Sequence, residues 1–308
     1  MNNTAHNILK TLGYFDLFHY PLTAEEICMF HPENIAASAI AAELEMLVNE
    51  KFIFKLDSFY SLHYDYALQQ KRNKANQLAA EQMKLAVKIA AFLSRFPYVK
   101  GIGVSGSLSK NVATEYSDID FFIVTASNRL WIARTAMHLY KKLTFLTGRQ
   151  RWFCMNYYVD EAELEIPEKN IFTAIEIITL LPMQGNRSLT DFRNNNNWTR
   201  IFFPAHKANS NSVPEIQKGM LVRFLERSLN NKLGDRIDKW LMRLTDSRWK
   251  KKALQQRLDD KGSNMGMSVG RHFSKPDPKN FQQKILSQYQ LKMQEIEDLA
   301  HQPSKISA

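Results

Sequence analysis

Cysteine is scarce in this chain of 308 residues, which contains only Cys28 and Cys154. Neither a disulfide framework nor a zinc site built from cysteines is therefore expected. The sequence also lacks any apolar run near the roughly 20 residues that span a bilayer. Its first residues show neither the basic start nor the apolar core of a signal peptide. We expect a globular protein of the cytoplasm with no membrane partner.

Basic residues are scarce at the start of the chain and abundant in the rest. The formal net charge is +10. Residues 1–60 hold three lysines against eight acidic residues, a net of −5, which leaves +15 for the remainder. A positive balance suits polyanionic partners such as nucleic acid or nucleotide phosphates. We therefore expect any affinity for nucleic acid to come from the later part of the chain.

Residues 1–66 predict three helices followed by a hairpin. Thr23 and Glu26 form a capping box that begins the second helix, and a third helix covers about residues 35–48. The hairpin is predicted by the β-rich run FIFKLDSFYSL. This order resembles a winged helix-turn-helix domain. No Lys or Arg occurs in residues 33–50, so we expect a packing or protein-interaction role and no binding of duplex DNA, which needs cations on phosphates.

Residues 67–165 predict a linking helix and then a small mixed α/β domain. The domain reads as strand, short turn, strand, long helix and strand, and it ends near Asp160. Residues 166–308 predict a mostly helical region, with a basic amphipathic helix over about residues 215–244. The predicted fold class is therefore α/β (α+β), with a small mixed-sheet core between an N-terminal helical domain and a helical C-terminal region.

A loop rich in Gly, Pro and Ser is predicted over residues 259–280, after the basic helix. Arg271 and His272 lie within it and are candidates for closing over a substrate. A last helix is predicted over about residues 281–300.

The stretch VSGSLSKNVATEYSDIDFFIVT, residues 104–125, places two acids on what otherwise reads as a buried strand. Side chains two apart on a strand share a face, so Asp118 and Asp120 present their carboxylates together. Such a pair is costly to bury unless a cation or hydrogen bonds compensate it. Carboxylate oxygens suit Mg²⁺, which completes its shell with waters and substrate phosphates.

The turn before this strand supplies the complementary half of an anion site. Gly106 lets the backbone approach phosphates closely, and the N–H groups that follow attract anions. The Ser107 hydroxyl adds a hydrogen-bond donor, and Lys110, just after the turn, is a candidate for a phosphate contact.

Together these features resemble the active-site signature of nucleotidyltransferases of the DNA polymerase β superfamily. In that signature a Gly-Ser pair follows a first strand and an Asp-x-Asp lies on the next, matching Gly106, Ser107, Asp118 and Asp120 here. The resemblance implies Asp118 and Asp120 as catalytic, metal-binding residues and Mg²⁺ or Mn²⁺ as the cofactor. With the winged-helix-like start, the chain is similar to bacterial predicted nucleotidyltransferases that carry such a domain.

The resemblance implies transfer of a nucleoside monophosphate from a nucleoside triphosphate to an acceptor hydroxyl on a small molecule, a protein or an RNA end. Relatives commonly carry a third carboxylate on a later strand, where this sequence has Asn156, followed by Asp160, Glu161 and Glu176 as nearby acids. The alternative is a catalytically degenerate protein that senses nucleotides or regulates through its winged helix.

Overall fold

A computed structural model describes residues 1–148, 150–206, 212–254, 266–277 and 279–301. The α-helices are α1 (Asn3–Asp16), α2 (Ala24–Met29), α3 (Ala37–Asn49), α4 (Tyr66–Leu93), α5 (Leu130–Thr144), α6 (Ile171–Ile178), α7 (Asn186–Asn195), α8 (Met220–Ser228), α9 (Lys232–Leu254) and α10 (Phe281–His301). The strands are β1 (Phe54–Leu56), β2 (Phe59–Ser61), β3 (Val99–Val104), β4 (Asp120–Thr125), β5 (Cys154–Asp160), β6 (Leu181–Gln184), β7 (Ser268–Val269) and β8 (Phe273–Lys275). The predicted mixed α/β class is confirmed.

A six-stranded sheet in the order β6-β3-β4-β5-β8-β7 forms the centre of the molecule. Its one parallel pair among the described strands is β4 with β5, and every other pair is antiparallel. The parallel pair needs a crossover connection, which α5 supplies. The side chains of Trp131 and Met137 on α5 are fully buried against one face of the sheet. The first residues of the parallel strands β4 and β5 therefore lie at the same end of the strands.

Three local predictions were wrong in detail. The apolar run IFTAIEIITLLP predicts one helix that ends at Pro182, but α6 ends at Ile178 and β6 then pairs with β3. The basic helix is two helices, interrupted where Asn231 bonds to the end of α8 and the start of α9. Within the predicted loop of residues 259–280, β7 and β8 extend the sheet, and residues 259–265 and 278 lie outside the described residues.

The N-terminal segment has the three helices and the hairpin that the sequence predicts. Its apolar core is not its own, because Ala174 and Ile175 of α6 and Ile285 and Ile296 of α10 complete it. That it is a winged-helix domain stays a prediction, as do the domain boundaries. None of the helices in the described ranges combines the length and apolar character needed to cross a membrane.

Candidate active site

A sharp turn carries the chain from β3 toward β4. Gly106 has a φ of +66°, in the left-handed region, and a Cβ there would collide with the carboxylate of Asp120. Only glycine combines that backbone conformation with so close an approach. Ser107 follows with an exposed side chain and begins a short 3₁₀ helix, Leu108–Lys110. The predicted turn therefore lies directly against the predicted acid.

The two aspartates differ in position and exposure. Asp120 is the first residue of β4 and partly buried, whereas Asp118 precedes the strand and is exposed. The prediction that both lie on the strand was therefore wrong for Asp118. Ile119 and Phe121 are buried among the core residues of the sheet.

The Asp120 carboxylate lies in a site that disfavours its charge. Burial raises its pKa to about 6, and the negative charges of Glu176 and Asp118 add to that effect. A hydrogen bond from Cys154 and the positive charge of Lys110 act in the opposite direction and are outweighed. A carboxylate left this short of compensating charge is a candidate for binding a cation.

The residue beside Asp120 on the next strand is Cys154, not Asn156. The parallel pairing sets Asp120 opposite Cys154, and a register shift then leaves Asn156 without a partner on β4. Burial and the charge of Asp120 raise the pKa of the Cys154 thiol to about 12, so the thiol stays protonated and donates. Asn156 is exposed and lines the cavity described below.

Glu176 on α6 reaches the turn, which no local pattern in the sequence predicts. Its carboxylate accepts a hydrogen bond from the Gly106 N–H at 3.2 Å and pairs with Lys110 Nζ at 2.7 Å. The Lys110 ammonium also donates to the Gly106 carbonyl at 3.1 Å. An anion therefore already occupies the groups that the sequence assigns to phosphate.

The other candidate acids on and after β5, Asp160 and Glu161, lie at the opposite end of the strands from Asp120. Asp160 ends β5 with no exposed surface, and it accepts from the N–H groups of Asn128 and Ala162 and from His272. Glu161 accepts from the Ser188 hydroxyl. Because β4 and β5 run parallel, the end of β5 is remote from the start of β4. His272 therefore does not close over the predicted site.

A cavity of about 430 Å³ opens onto the turn and Asp120. Its walls come from all three parts of the chain. They are formed by aromatic residues of the N-terminal segment, the Gly-Ser turn with Lys110 and Asp120, and residues around the start of α10: Tyr14, Phe15, Phe18, Tyr20, Gly106, Ser107, Lys110, Val112, Asp120, Asn156, Phe172, Glu176, Pro276, Asp277, Lys279 and Phe281. The segment after β8, rather than Arg271 and His272, contributes to this site.

Tyr20 connects the N-terminal segment to the turn. Its hydroxyl donates to the Lys110 carbonyl at 2.6 Å, and its ring packs against the Arg72 guanidinium, 3.6 Å from the ring centroid. Arg72 in turn pairs with Glu26 at 2.6 Å. The cation–π and ion-pair contacts of the buried Arg72 side chain give this connection a defined geometry. The N-terminal segment is therefore a wall of the site.

Asp120 in the wall of the cavity, together with the nearby charge of Asp118, has ligand chemistry that fits a divalent cation sharing its shell with a phosphorylated ligand. Among the residues that the structure describes, no group of three or more His, Cys, Asp and Glu converges to hold a metal. Asp118 and Asp120 offer two carboxylates, and Mg²⁺ commonly binds through one or two carboxylates plus substrate phosphates. Their charge, uncompensated at Asp120, is the feature that a cation relieves.

The comparisons with known proteins agree with the central part of this description. Residues 85–175 match the family model described as a nucleotidyltransferase domain, which covers β3, the turn, β4, β5 and the start of α6. No curated protein and no solved structure matches the chain. The matched range includes Gly106, Asp118, Asp120, Asn156 and the start of the helix that carries Glu176.

Proposed function

We propose, from the premise that residues 85–175 form a nucleotidyltransferase domain of the polymerase β type, that the chain is a metal-dependent nucleotidyltransferase. It moves a nucleoside monophosphate from a nucleoside triphosphate to an acceptor hydroxyl. The observation that carries this proposal is the partly buried carboxylate of Asp120, with its raised pKa, against the Gly106 turn in an aromatic-walled cavity.

The triphosphate binds at the turn in this proposal. The Gly106 N–H and Lys110 hold the Glu176 carboxylate in the free protein, which supports anion binding at these groups. Phosphate oxygens replace that carboxylate, and the exposed Ser107 hydroxyl adds a further donor. Lysine and backbone N–H groups at a turn are a recurrent way of holding phosphates. The aromatic residues of the cavity offer faces for the nucleobase.

Asp118 and Asp120 hold the cation, Mg²⁺ or Mn²⁺. A cation bound there supplies charge neutralisation on the phosphates and orients the pyrophosphate leaving group. The protein contributes a fixed Asp120, held through its backbone to Ser105 and through its side chain to Cys154. Asp118, exposed before the strand, completes the pair when the ligand arrives.

Transfer follows an in-line displacement. The acceptor oxygen attacks the α-phosphorus and forms the new O–P bond, while the bond from that phosphorus to the bridging oxygen breaks and pyrophosphate leaves with its electron pair. Glu176 takes the acceptor proton, because phosphate binding releases its carboxylate from Lys110 and Gly106. This assignment gives the role of the missing third carboxylate to a helix residue instead of Asn156.

One observation favours the alternative, a protein that senses nucleotides without catalysis. Glu176 occupies the anion site through two contacts, and a carboxylate retained there opposes triphosphate binding. Release of pyrophosphate distinguishes the two: the transferase releases it when an acceptor is present, whereas a sensor binds the nucleotide and releases none.

Duplex DNA is not the expected partner of the N-terminal segment. Its third helix, α3, exposes small and acidic residues such as Ser38 and Glu45, so it offers no cations to phosphates. The aromatic residues of the N-terminal segment, which lie outside α3, instead line the cavity. We propose that this segment serves the active site.

The test is the thermal unfolding of the full chain with each of the four nucleoside triphosphates, with and without Mg²⁺. A ligand at a hundredfold excess over its Kd stabilises by about 2.7 kcal/mol, so we expect one triphosphate with Mg²⁺ to raise the Tm by several degrees. Lys110→Ala should remove most of that rise. Lys84→Ala, at an exposed lysine of α4, is the matched control. Absence of Mg²⁺-dependent stabilisation by all four nucleotides contradicts the proposal.

A further inference from the structure

The cavity of about 430 Å³ that opens onto the Gly106 turn and Asp120 is called the catalytic cavity below. A second cavity, of about 150 Å³, adjoins it. The two share lining residues at their junction, including Asn156, Phe172, Glu176 and Phe281. Its far wall consists of buried side chains of the sheet and of the helices α6 and α7, among them Phe122 and Phe192. A molecule in this cavity therefore lies next to the Glu176 carboxylate and within reach of the catalytic cavity.

The size of the second cavity limits what enters it. An engineered cavity of about 150 Å³ admits benzene, so this one accommodates a group of about six heavy atoms. A folded protein segment or a nucleotide of an RNA chain is larger. The cavity is thus scaled to a small molecule.

Two polar groups of this cavity have no hydrogen-bond partner in the described part of the chain. They are the phenol oxygen of Tyr157 and the Oε2 atom of Glu168, both buried. The other oxygen of Glu168 lies 3.6 Å from Lys275 Nζ. Burial and the negative charge of Glu168 raise the pKa of Tyr157, so its phenol stays a neutral donor and acceptor.

Unpaired buried polar groups are unfavourable and are rare in folded proteins. The Tyr157 ring is held in place by stacking on Phe122, with centroids 5.7 Å apart, so the hydroxyl cannot turn freely toward another partner. A ligand that offers hydrogen-bond donors to the Glu168 carboxylate and to the Tyr157 hydroxyl satisfies both groups at once. The aromatic walls meanwhile pack against its carbon atoms.

Resting on the proposed nucleotidyl transfer, we infer that the second cavity binds the acceptor, and that the acceptor is a small alcohol with a second hydrogen-bond donor, an amine or another hydroxyl. Glu168 and Tyr157 hold the second donor group, which directs the reacting hydroxyl toward the catalytic cavity. That hydroxyl forms the new O–P bond as the bond to the bridging oxygen breaks and pyrophosphate leaves with its electron pair, and the hydroxyl proton passes to Glu176, which lines both cavities.

The experiment supplies the full chain with Mg²⁺ and the stabilising triphosphate, labelled at its α-phosphate. Four acceptor sources are offered separately: glycerol, ethanolamine, the ultrafiltered low-mass fraction of a cell extract, and the RNA and protein of the same extract. We expect label in a small alcohol from at least one of the first three sources. The glycerol and ethanolamine arms distinguish a polyol from an amino alcohol.

Two variants then connect the product to the cavity. Tyr157→Phe and Glu168→Gln should each lower kcat/KM for the labelled alcohol at least tenfold, mainly by raising its KM, while nucleotide-dependent stabilisation stays unchanged. Tyr158→Phe is the matched control, because this neighbouring phenol contacts Met137 in the core and lines neither cavity.

Three results overturn the inference: label on RNA or protein, pyrophosphate release without any labelled small molecule, or unchanged kinetics in both cavity variants. Failure of the proposed function looks different, because either nucleotide-dependent stabilisation is missing before any acceptor is added, or the nucleotide stabilises the chain and no acceptor source leads to pyrophosphate release.

Discussion

The central sheet holds an aspartate at each end of its parallel pair, Asp160 buried and Asp120 partly buried, and the two have opposite surroundings. Asp160, at the end of β5, accepts from two backbone N–H groups at 2.9 Å and from His272 at 3.0 Å. Asp120, at the start of β4, accepts from one weak donor, the Cys154 thiol, and faces two other acids. The fold supplies hydrogen-bond donors to the Asp160 carboxylate, whereas the charge of the Asp120 carboxylate is left for a ligand to compensate.

This difference separates structural from functional carboxylates better than sequence position does. Asp160, Glu161 and Glu176 are all acids within the same stretch of the sequence. Of these three acids only Glu176 contacts the turn, because α6 brings it back to the end of the sheet where β4 begins. Four experiments test this difference, and the last of them changes Asn156, which lines the same cavity as Asp120.

The largest expected effect is on transfer. Asp120→Asn should lower the rate by more than the roughly 10- to 100-fold that loss of an outer-shell partner of a metal ligand costs, because it removes a proposed ligand itself. Asp160→Asn should leave the rate per folded molecule nearly unchanged. Pyrophosphate release measures both. Equal losses in the two variants would contradict the distinction between the ends of the sheet.

For the free energy of unfolding we expect the opposite order, with substitution of Asp160 more damaging than substitution of Asp120. Asp160→Ala removes the acceptor of two N–H groups and of His272, all in a buried setting, so the free energy of unfolding should fall by about 2 to 4 kcal/mol. Denaturant unfolding at neutral pH measures it. His272→Ala is the partial counterpart and should cost less, since the two backbone donors keep their acceptor. An undiminished stability of Asp160→Ala would show that these bonds contribute little.

The third difference appears with pH. The pKa of Asp120 in the folded protein, about 6, exceeds the ordinary value of 3.8, so the folded state binds more protons between these values. The free energy of unfolding contributed by this group therefore falls as pH rises from about 4 to about 6. The Asp120→Asn variant has no carboxylate to titrate there, so its free energy of unfolding does not fall in this way. Above about pH 6 and without metal, it should be more stable than the parent by on the order of 2 to 3 kcal/mol.

The comparison between parent and variant isolates Asp120 in that measurement. Asp238 also has a pKa raised to about 6 by burial, but it is present in both proteins and cancels. The stability difference should shrink near pH 4, where Asp120 is protonated, and should shrink again when Mg²⁺ is added near pH 7. A difference that is constant across pH would show that Asp120 is not the titrating group.

The smallest effect is expected at Asn156. Asn156→Asp adds a carboxylate that is exposed but lines the same cavity as Asp120 and Glu176, so stability in chelator should fall by less than about 1 kcal/mol. Mg²⁺ or Mn²⁺ should restore it, and any transfer should increase. Cys154→Asp, directly beside Asp120, should have the larger cost. Equal stability of Asn156→Asp and parent in chelator and in metal would place position 156 outside the reach of the cation.

Much of the site is readable from the sequence because it is local. The Gly106-Ser107 turn, the two acids that follow and the apolar strand after them lie within one short stretch, and their relation depends on strand periodicity and backbone sterics. The same holds for the capping box of Thr23 and Glu26, which is present in the structure. Asp118 was misplaced because strand ends depend on pairing, and β4 begins only at Asp120.

The composition and local patterns by themselves determined the α/β class, the turn and the acid pair, because these depend on neighbours in the sequence. The tertiary structure alone decided that Cys154 lies beside Asp120, that Glu176 occupies the anion site, and that Tyr20 and its segment form a wall of the cavity. A register shift and the docking of one apolar helix face on another depend on residues distant in the chain, and many partners satisfy the same apolar pattern.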